Sequence, residues 1–135
     1  MALTKNNNTP ERDGKTIALG VAANVKIFAG ALVALTAAGL ATPGAVATTL
    51  KGVGRAKDLA DNTGGAAGAI KVEVEKGVFR FNNSGGGDAI TAADIGNNAF
   101  IVDDETVAKT NGTNTRSIAG TIFDVDAQGV WVRFT

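Results

Sequence analysis

The segment AIKVEVE, Ala69 to Glu75, alternates with a period of two: Ile70, Val72 and Val74 are apolar, while Lys71, Glu73 and Glu75 are charged. Successive side chains of an extended chain point to opposite faces, so this order puts three aliphatic groups on one side and three charges on the other. The segment therefore reads as a half-buried β-strand. The period restarts after Lys76 and Gly77, with Phe79 and Phe81 on a common face and Gly77 as the bulge or tight turn between the two runs. The C-terminus repeats the pattern as a hairpin: Ile118 to Val125, a turn over DAQG, then Val130, Val132 and Phe134 alternating with Trp131 and Arg133.

The rest of the chain reads as short strands cut by turns. TIALGVAANVKIFAGALVAL supplies two, with Gly20 and Gly30 as bends. TAAG at 36–39 and TPG at 42–44 are turns, with Gly44 free for a positive φ, and a strand from Ala45 to Ala56 is bent by Gly52 and Gly54. NNSGGGD is a loop, and ITAADIG holds one helical turn with Thr91 as its cap and Asp94 three residues on. AFIVDDETVAKT is a strand, an acidic turn and a second strand, and NGTNT is a loop. Eight or nine short antiparallel strands make an all-β protein, a small β-barrel or β-sandwich over residues 17–135. Residues 1–16, MALTKNNNTPERDGKT, are polar and cannot build a core, so they are either disordered or an extended N-terminal arm that orders on another surface, the reading that the resemblance given below favours.

Ile27 to Leu50 runs 24 residues without a charge, long enough to cross a bilayer as a helix. Eight of those residues are Ala, four Thr and three Gly, and Pro43–Gly44 would break the helix. The run is better divided into two or three short strands joined by TAAG and TPG, and the resemblance given below implies that Phe28 to Leu50 forms the core and an oligomer interface.

Composition narrows the chemistry. The 135 residues include no His, Cys or Tyr, which removes the commonest general base, thiol nucleophiles, thiolate metal sites and disulfides. Thirteen cations balance thirteen anions, against a nucleic-acid binder that works by neutralising phosphates. The charges are uneven along the chain: residues 1–57 hold seven cations and two anions, residues 58–135 six and eleven. Such a polarity can orient a molecule against a partner or a copy of itself.

Short motifs dissolve on inspection. DGKT at 13–16 lacks the glycine a phosphate loop needs at position 9, and DVDAQG at 124–129 ends with Thr135 where a calcium loop needs Glu. GVG at 52–54 fails the dinucleotide fingerprint at Lys57. Three adjacent carboxylates on the turn Asp103–Asp104–Glu105 diverge rather than converge on a metal, but they can form an acidic knob facing a basic patch.

Taken in order, VAANVKIFAGALVALTAAGLATPG, GVGRAKDLADNTGGAAG, KVEVEKGVFRFNNS, ADIGNNAFIVDDETVAKT and AGTIFDVDAQGVWVRF resemble the small capsid cement or decoration proteins of tailed bacteriophages. The resemblance covers residues 10–135 and implies a β-rich structural protein with no enzymatic activity, cofactor or metal. It implies a place on the outer surface of the virion head, after synthesis in the bacterial cytoplasm, where the protein bridges major capsid proteins as a symmetric oligomer, a trimer ahead of a dimer. It implies neither nucleic acid nor membrane as partner. Candidate contacts are Thr9, Pro10, Glu11, Arg12 and Lys15 in the arm, then Phe28, Lys51, Arg55, Asp103 and Asp104. Two rivals remain: another virion or cell-surface β-domain of fibre or carbohydrate-binding type, which needs an exposed aromatic platform, and a hydrolase built on carboxylates.

Overall fold

A computed structural model describes all residues 1–135. Twelve strands follow in order: β1 (Thr16–Gly20), β2 (Lys26–Ile27), β3 (Leu32–Leu35), β4 (Ala41–Pro43), β5 (Lys51–Ala56), β6 (Ala60–Asp61), β7 (Lys71–Glu75), β8 (Gly77–Asn83), β9 (Asn98–Ile101), β10 (Thr106–Ala108), β11 (Ile118–Asp126) and β12 (Gly129–Phe134). The only helical pieces are two 3₁₀ turns, Gly86–Asp88 and Ala92–Asp94. The second begins where expected, with the Thr91 amide donating to Asp94 Oδ2 at 2.8 Å.

The chain is all-β, as its alternation indicates, and contains a small closed barrel. Strands β10-β8-β12-β11-β9 close on themselves, while β1-β7-β5-β3-β4 form an open sheet and β2 pairs with β6. One expectation is corrected here: the strands are not all antiparallel, since β8 and β10 run parallel through Thr106–Asn82 and Val107–Asn83. Alternating directions cannot be kept around a closed ring of five, so at least one neighbouring pair must be parallel. The open sheet nearly closes too, because an isolated parallel bridge joins Val21 to Ala41, with the Ala22 amide donating to Ala41 O at 2.9 Å.

Two apolar cores result. The barrel encloses Phe81, Ile101, Val107, Ile122, Val130, Val132 and Phe134. The open sheet encloses Val21, Ile27, Val33, Ala56, Val72 and Val74. Strand β3 serves both: Leu32 and Ala34 lie in the barrel core, and Val33, with Ala31 just before the strand, in the other. A strand buried on both faces has no polar phase, which is why the middle of the uncharged run shows no alternation. No helix of the chain is long and apolar enough to cross a membrane.

Within that run, TAAG turns β3 back into β4, with Gly39 at φ 81° and the Thr36 hydroxyl accepting from the Leu40 amide at 3.1 Å. Pro43 costs no ladder bond. The Gly44 amide bonds to Leu32 O at 2.8 Å, so in the register Val33–Pro43 the proline nitrogen faces away from β3, at a sheet edge. Gly44 does not use a positive φ, contrary to expectation. It is needed for space instead, since a Cβ there would lie 2.8 Å from Asp103 O and 3.1 Å from Leu32 Cδ2.

The strand expected from Ala45 is shorter than its composition implied and starts only at Lys51. Ser117, buried, takes over the hydrogen bonds of the preceding loop: its Oγ accepts from the Leu50 amide at 3.1 Å and donates to Ala47 O. Farther along β5, Val53 bulges between Gly52, opposite Ala34, and Gly54, opposite Val33. Gly52 lies directly on the backbone of β11, and a methyl group on it would fall onto Ala119, 2.6 Å from its Cα. This backbone-on-backbone crossing is where the open sheet meets the barrel.

At the N-terminus, residues 1–15 are exposed and belong to no strand, and the backbone of 1–14 makes no hydrogen bond to the body. The first tie is the Lys15 carbonyl, which accepts from the Lys76 amide at 2.7 Å. Thr16, assigned to the arm by its composition, is the first residue of β1.

Candidate functional site

An open groove of about 640 Å³ lies where β5 crosses β11, within the range of ordinary ligand sites and at the kind of junction that forms them. Its floor is Gly52 and Ala119, and its walls come from Leu50 and Lys51, the segment Arg116–Thr121, Phe100 on β9, and Arg133 and Phe134 on β12. Ser117, by holding Ala47 and Leu50, fixes the Thr48–Leu50 rim.

Three cations line the groove, Lys51, Arg116 and Arg133, and no Asp or Glu does. Arg116 is held from behind by Asp88, with Nη1 to Oδ2 at 3.1 Å, and it also donates to Thr110 O at 3.1 Å. Arg133 lies 4.7 Å above the exposed Phe123 ring and, like Lys51, has no carboxylate partner. Asn111 and Asn114 close one end through a turn in which Gly112, Thr113 and Asn114 all have φ between 61° and 63°. That left-handed run is uncommon for non-glycine residues and is an outlier for β-branched Thr113. It is held by the Asn111 carbonyl, which accepts from the amides of Thr115 and Arg116, each at 3.0 Å.

The sequence-derived candidates are dispersed. Thr9, Pro10, Glu11 and Arg12 are exposed, and Lys15 marks the start of the folded body. Lys51 is in the groove, but Arg55, four residues on, is committed elsewhere: it pairs with Glu75 at 2.8 Å and lies 4.1 Å from the Phe79 ring centroid. Phe28 and Asp104, far apart in sequence, meet in a small depression of about 260 Å³ with Gly30, Ala31 and Glu105. Phe28 is 56 % exposed beneath Lys26, and the Asp104 carbonyl accepts from the Leu32 amide at 2.8 Å. Asp103 is exposed and braces the knob by accepting from the Glu105 amide at 2.9 Å. No group of three or more carboxylates converges in metal-binding geometry. Arg116, Arg133, Asn111 and Asn114 escaped sequence reasoning, because only the fold brings them together; the one local signal was the NGTN turn itself.

The charge polarity of the two chain halves does not survive folding intact. β5 lies beside β7, so Arg55 and Lys57 of the cationic half face Glu75 and Glu73 of the anionic half, at 2.8 and 3.6 Å.

Four carboxyls are held below their ordinary range: Asp61 by hydrogen bonds from Thr63, Glu75 by Arg55, Asp88 by Thr110 and then Arg116, and Asp126 by the Trp131 indole and then the Gln128 amide. A carboxyl depressed in the folded state contributes stability above its unfolded pKa, and that contribution is lost as pH falls through the folded value. With no His or Cys, no side chain titrates between the carboxylates and the lysines. The melting temperature is therefore expected to stay level from about pH 6 to about pH 9 and to decline only below about pH 4. Calorimetry across that range checks it, and an inflection near pH 6.5 would contradict it.

Comparison with models of protein families, with curated proteins and with solved structures gave no match to this chain.

Proposed function

We propose that the protein is a structural component of a tailed-phage virion, a cement protein on the outer surface of the head that bridges adjacent major capsid proteins in contact with copies of itself. The observation that carries this reading is the division of labour in the chain. A body of two small cores, joined through one doubly buried strand, is preceded by fourteen exposed residues whose backbone bonds to nothing in that body. Such a tail has hydrogen-bonding capacity for a neighbouring surface, where an added strand or a groove offsets the entropy of ordering it. The order of the sequence blocks gives the same reading. Binding between capsomers would stabilise the shell by mass action without any chemistry.

The carbohydrate-binding alternative needs a bare aromatic platform. Both exposed phenyl rings are instead capped by cations, Phe28 by Lys26 at 5.0 Å and Phe123 by Arg133 at 4.7 Å. The Trp131 indole is tied to Asp126 at 2.9 Å with Arg80 above it.

Deleting residues 1–14 stops short of the Lys15 carbonyl that bonds to Lys76. The truncated protein is expected to melt like the full chain and to bind heads that lack the protein at least ~10-fold more weakly, a loss of about 1.4 kcal/mol. Co-sedimentation with such heads measures it; full binding by the truncated protein would refute the anchoring role, and no binding by the full chain would refute the assignment.

A further inference from the structure

We infer that the basic groove is the receptor for the acidic turn Asp103–Asp104–Glu105 of a second copy of this chain, and that two copies exchange these turns about a two-fold axis. The groove carries Lys51, Arg116 and Arg133 with no Asp or Glu among its lining residues, and Lys51 and Arg133 are not neutralised within the chain. The turn is the opposite case: three consecutive carboxylates, none in an ion pair, on the tight connection between β9 and β10. Its shape is fixed before any encounter, because the Val102 amide donates to Thr106 O at 3.0 Å and the Glu105 amide to Asp103 Oδ1 at 2.9 Å. A preformed projection entering a preformed groove gives up little conformational freedom on binding.

The two surfaces are close together on one molecule. Phe100 lines the groove and Asp103 is three residues farther along the same chain, so knob and groove are at most about 10 Å apart along the backbone. When a projection and its receptor are adjacent, a two-fold operation seats both at once and closes the assembly. Ile118, 46 % exposed in the same groove beside Phe100, supplies the apolar surface that such a contact would cover. The Thr135 carbonyl, also among the lining residues, accepts from Lys76 Nζ at 3.4 Å, and of the three cations Lys51 and Arg133 are the two without a carboxylate partner in the chain.

A charge exchange tests this without any capsid, so it stands or falls separately from the cement reading. One variant carries Lys51→Glu and Arg133→Glu; the other carries Asp103→Lys and Glu105→Lys. Sedimentation velocity on the full-length wild type is expected to show a dimer at about 50 mM salt that dissociates toward monomer at about 500 mM, where screening shortens the reach of the charges. Each variant alone is expected to be monomeric, with a wild-type circular-dichroism spectrum. An equimolar mixture is expected to regain the dimer at 1:1 composition, since each variant's knob then meets a groove of opposite sign. A wild type that stays monomeric at low salt, variants that dimerise as well as wild type, or a mixture that remains monomeric would each overturn the inference.

Discussion

Gly52→Ala is expected to destabilise the protein by at least about 3 kcal/mol and to lower its melting temperature by about 10 °C or more. The added methyl group would fall onto the carbonyl of Ala119, and the atoms it meets are all backbone: the carbonyl oxygen, carbon and Cα of a strand fixed in the barrel wall. A flexible side chain could turn aside, but β11 is paired to β12 on one side and β9 on the other, so it cannot recede without breaking a ladder. The strand itself has no freedom either, since β5 is bonded to β3 and β7. The change forces apart the backbone-on-backbone crossing of β5 and β11, where the groove lies. Gly85→Ala is the control: its backbone is ordinary, at φ −108°, and open space surrounds it, so the change is expected to stay within about 0.5 kcal/mol. Thermal melts of the two variants decide the matter, and similar curves would mean that the two units are not pressed together at Gly52.

Residues that are half buried announced themselves in the sequence. Val72 and Val74 are buried and Lys71 and Glu73 exposed, as the alternation of β7 requires, and the C-terminal hairpin falls within a residue or two of its expected limits. The exposed N-terminal segment was legible for the complementary reason, a lack of apolar groups to bury. Where burial is two-sided or contact is made by backbone, the sequence is silent. β3 offers no polar phase to read, β2 and β6 are two residues each, and Gly52 resembles any turn glycine until β11 is laid across it. The groove was least legible of all. Lys51, Arg116 and Arg133 come from three separated segments, and Arg133 in the sequence is simply the outward phase of a hairpin strand.

That contrast between one-sided and two-sided strands gives the second large effect. On β7 the expected responses alternate: Val72→Asp unfolds the protein, while Lys71→Ala, one residue away and exposed, changes stability by no more than about 0.5 kcal/mol. On β3 they do not alternate. Leu32 and Val33 are both fully buried, the first in the barrel core and the second in the core of the open sheet. Leu32→Asp and Val33→Asp are each expected to abolish cooperative folding. Removing a buried aliphatic side chain costs about 2–5 kcal/mol for Leu and somewhat less for Val. Placing an unpaired carboxylate there adds several more, and together these rival the ~5–15 kcal/mol that holds an ordinary domain folded. The two lesions also differ in kind. Each strikes one core directly, so loss of near-ultraviolet dichroism from Trp131, a residue of barrel strand β12, reports whether damage in the open sheet spreads to the barrel. Because β3 belongs to both cores, Val33→Asp is expected to erase that signal as fully as Leu32→Asp does. A Val33→Asp protein that kept its Trp131 signal and a sharp melt would show that the barrel folds without the sheet and that β3 does not couple them.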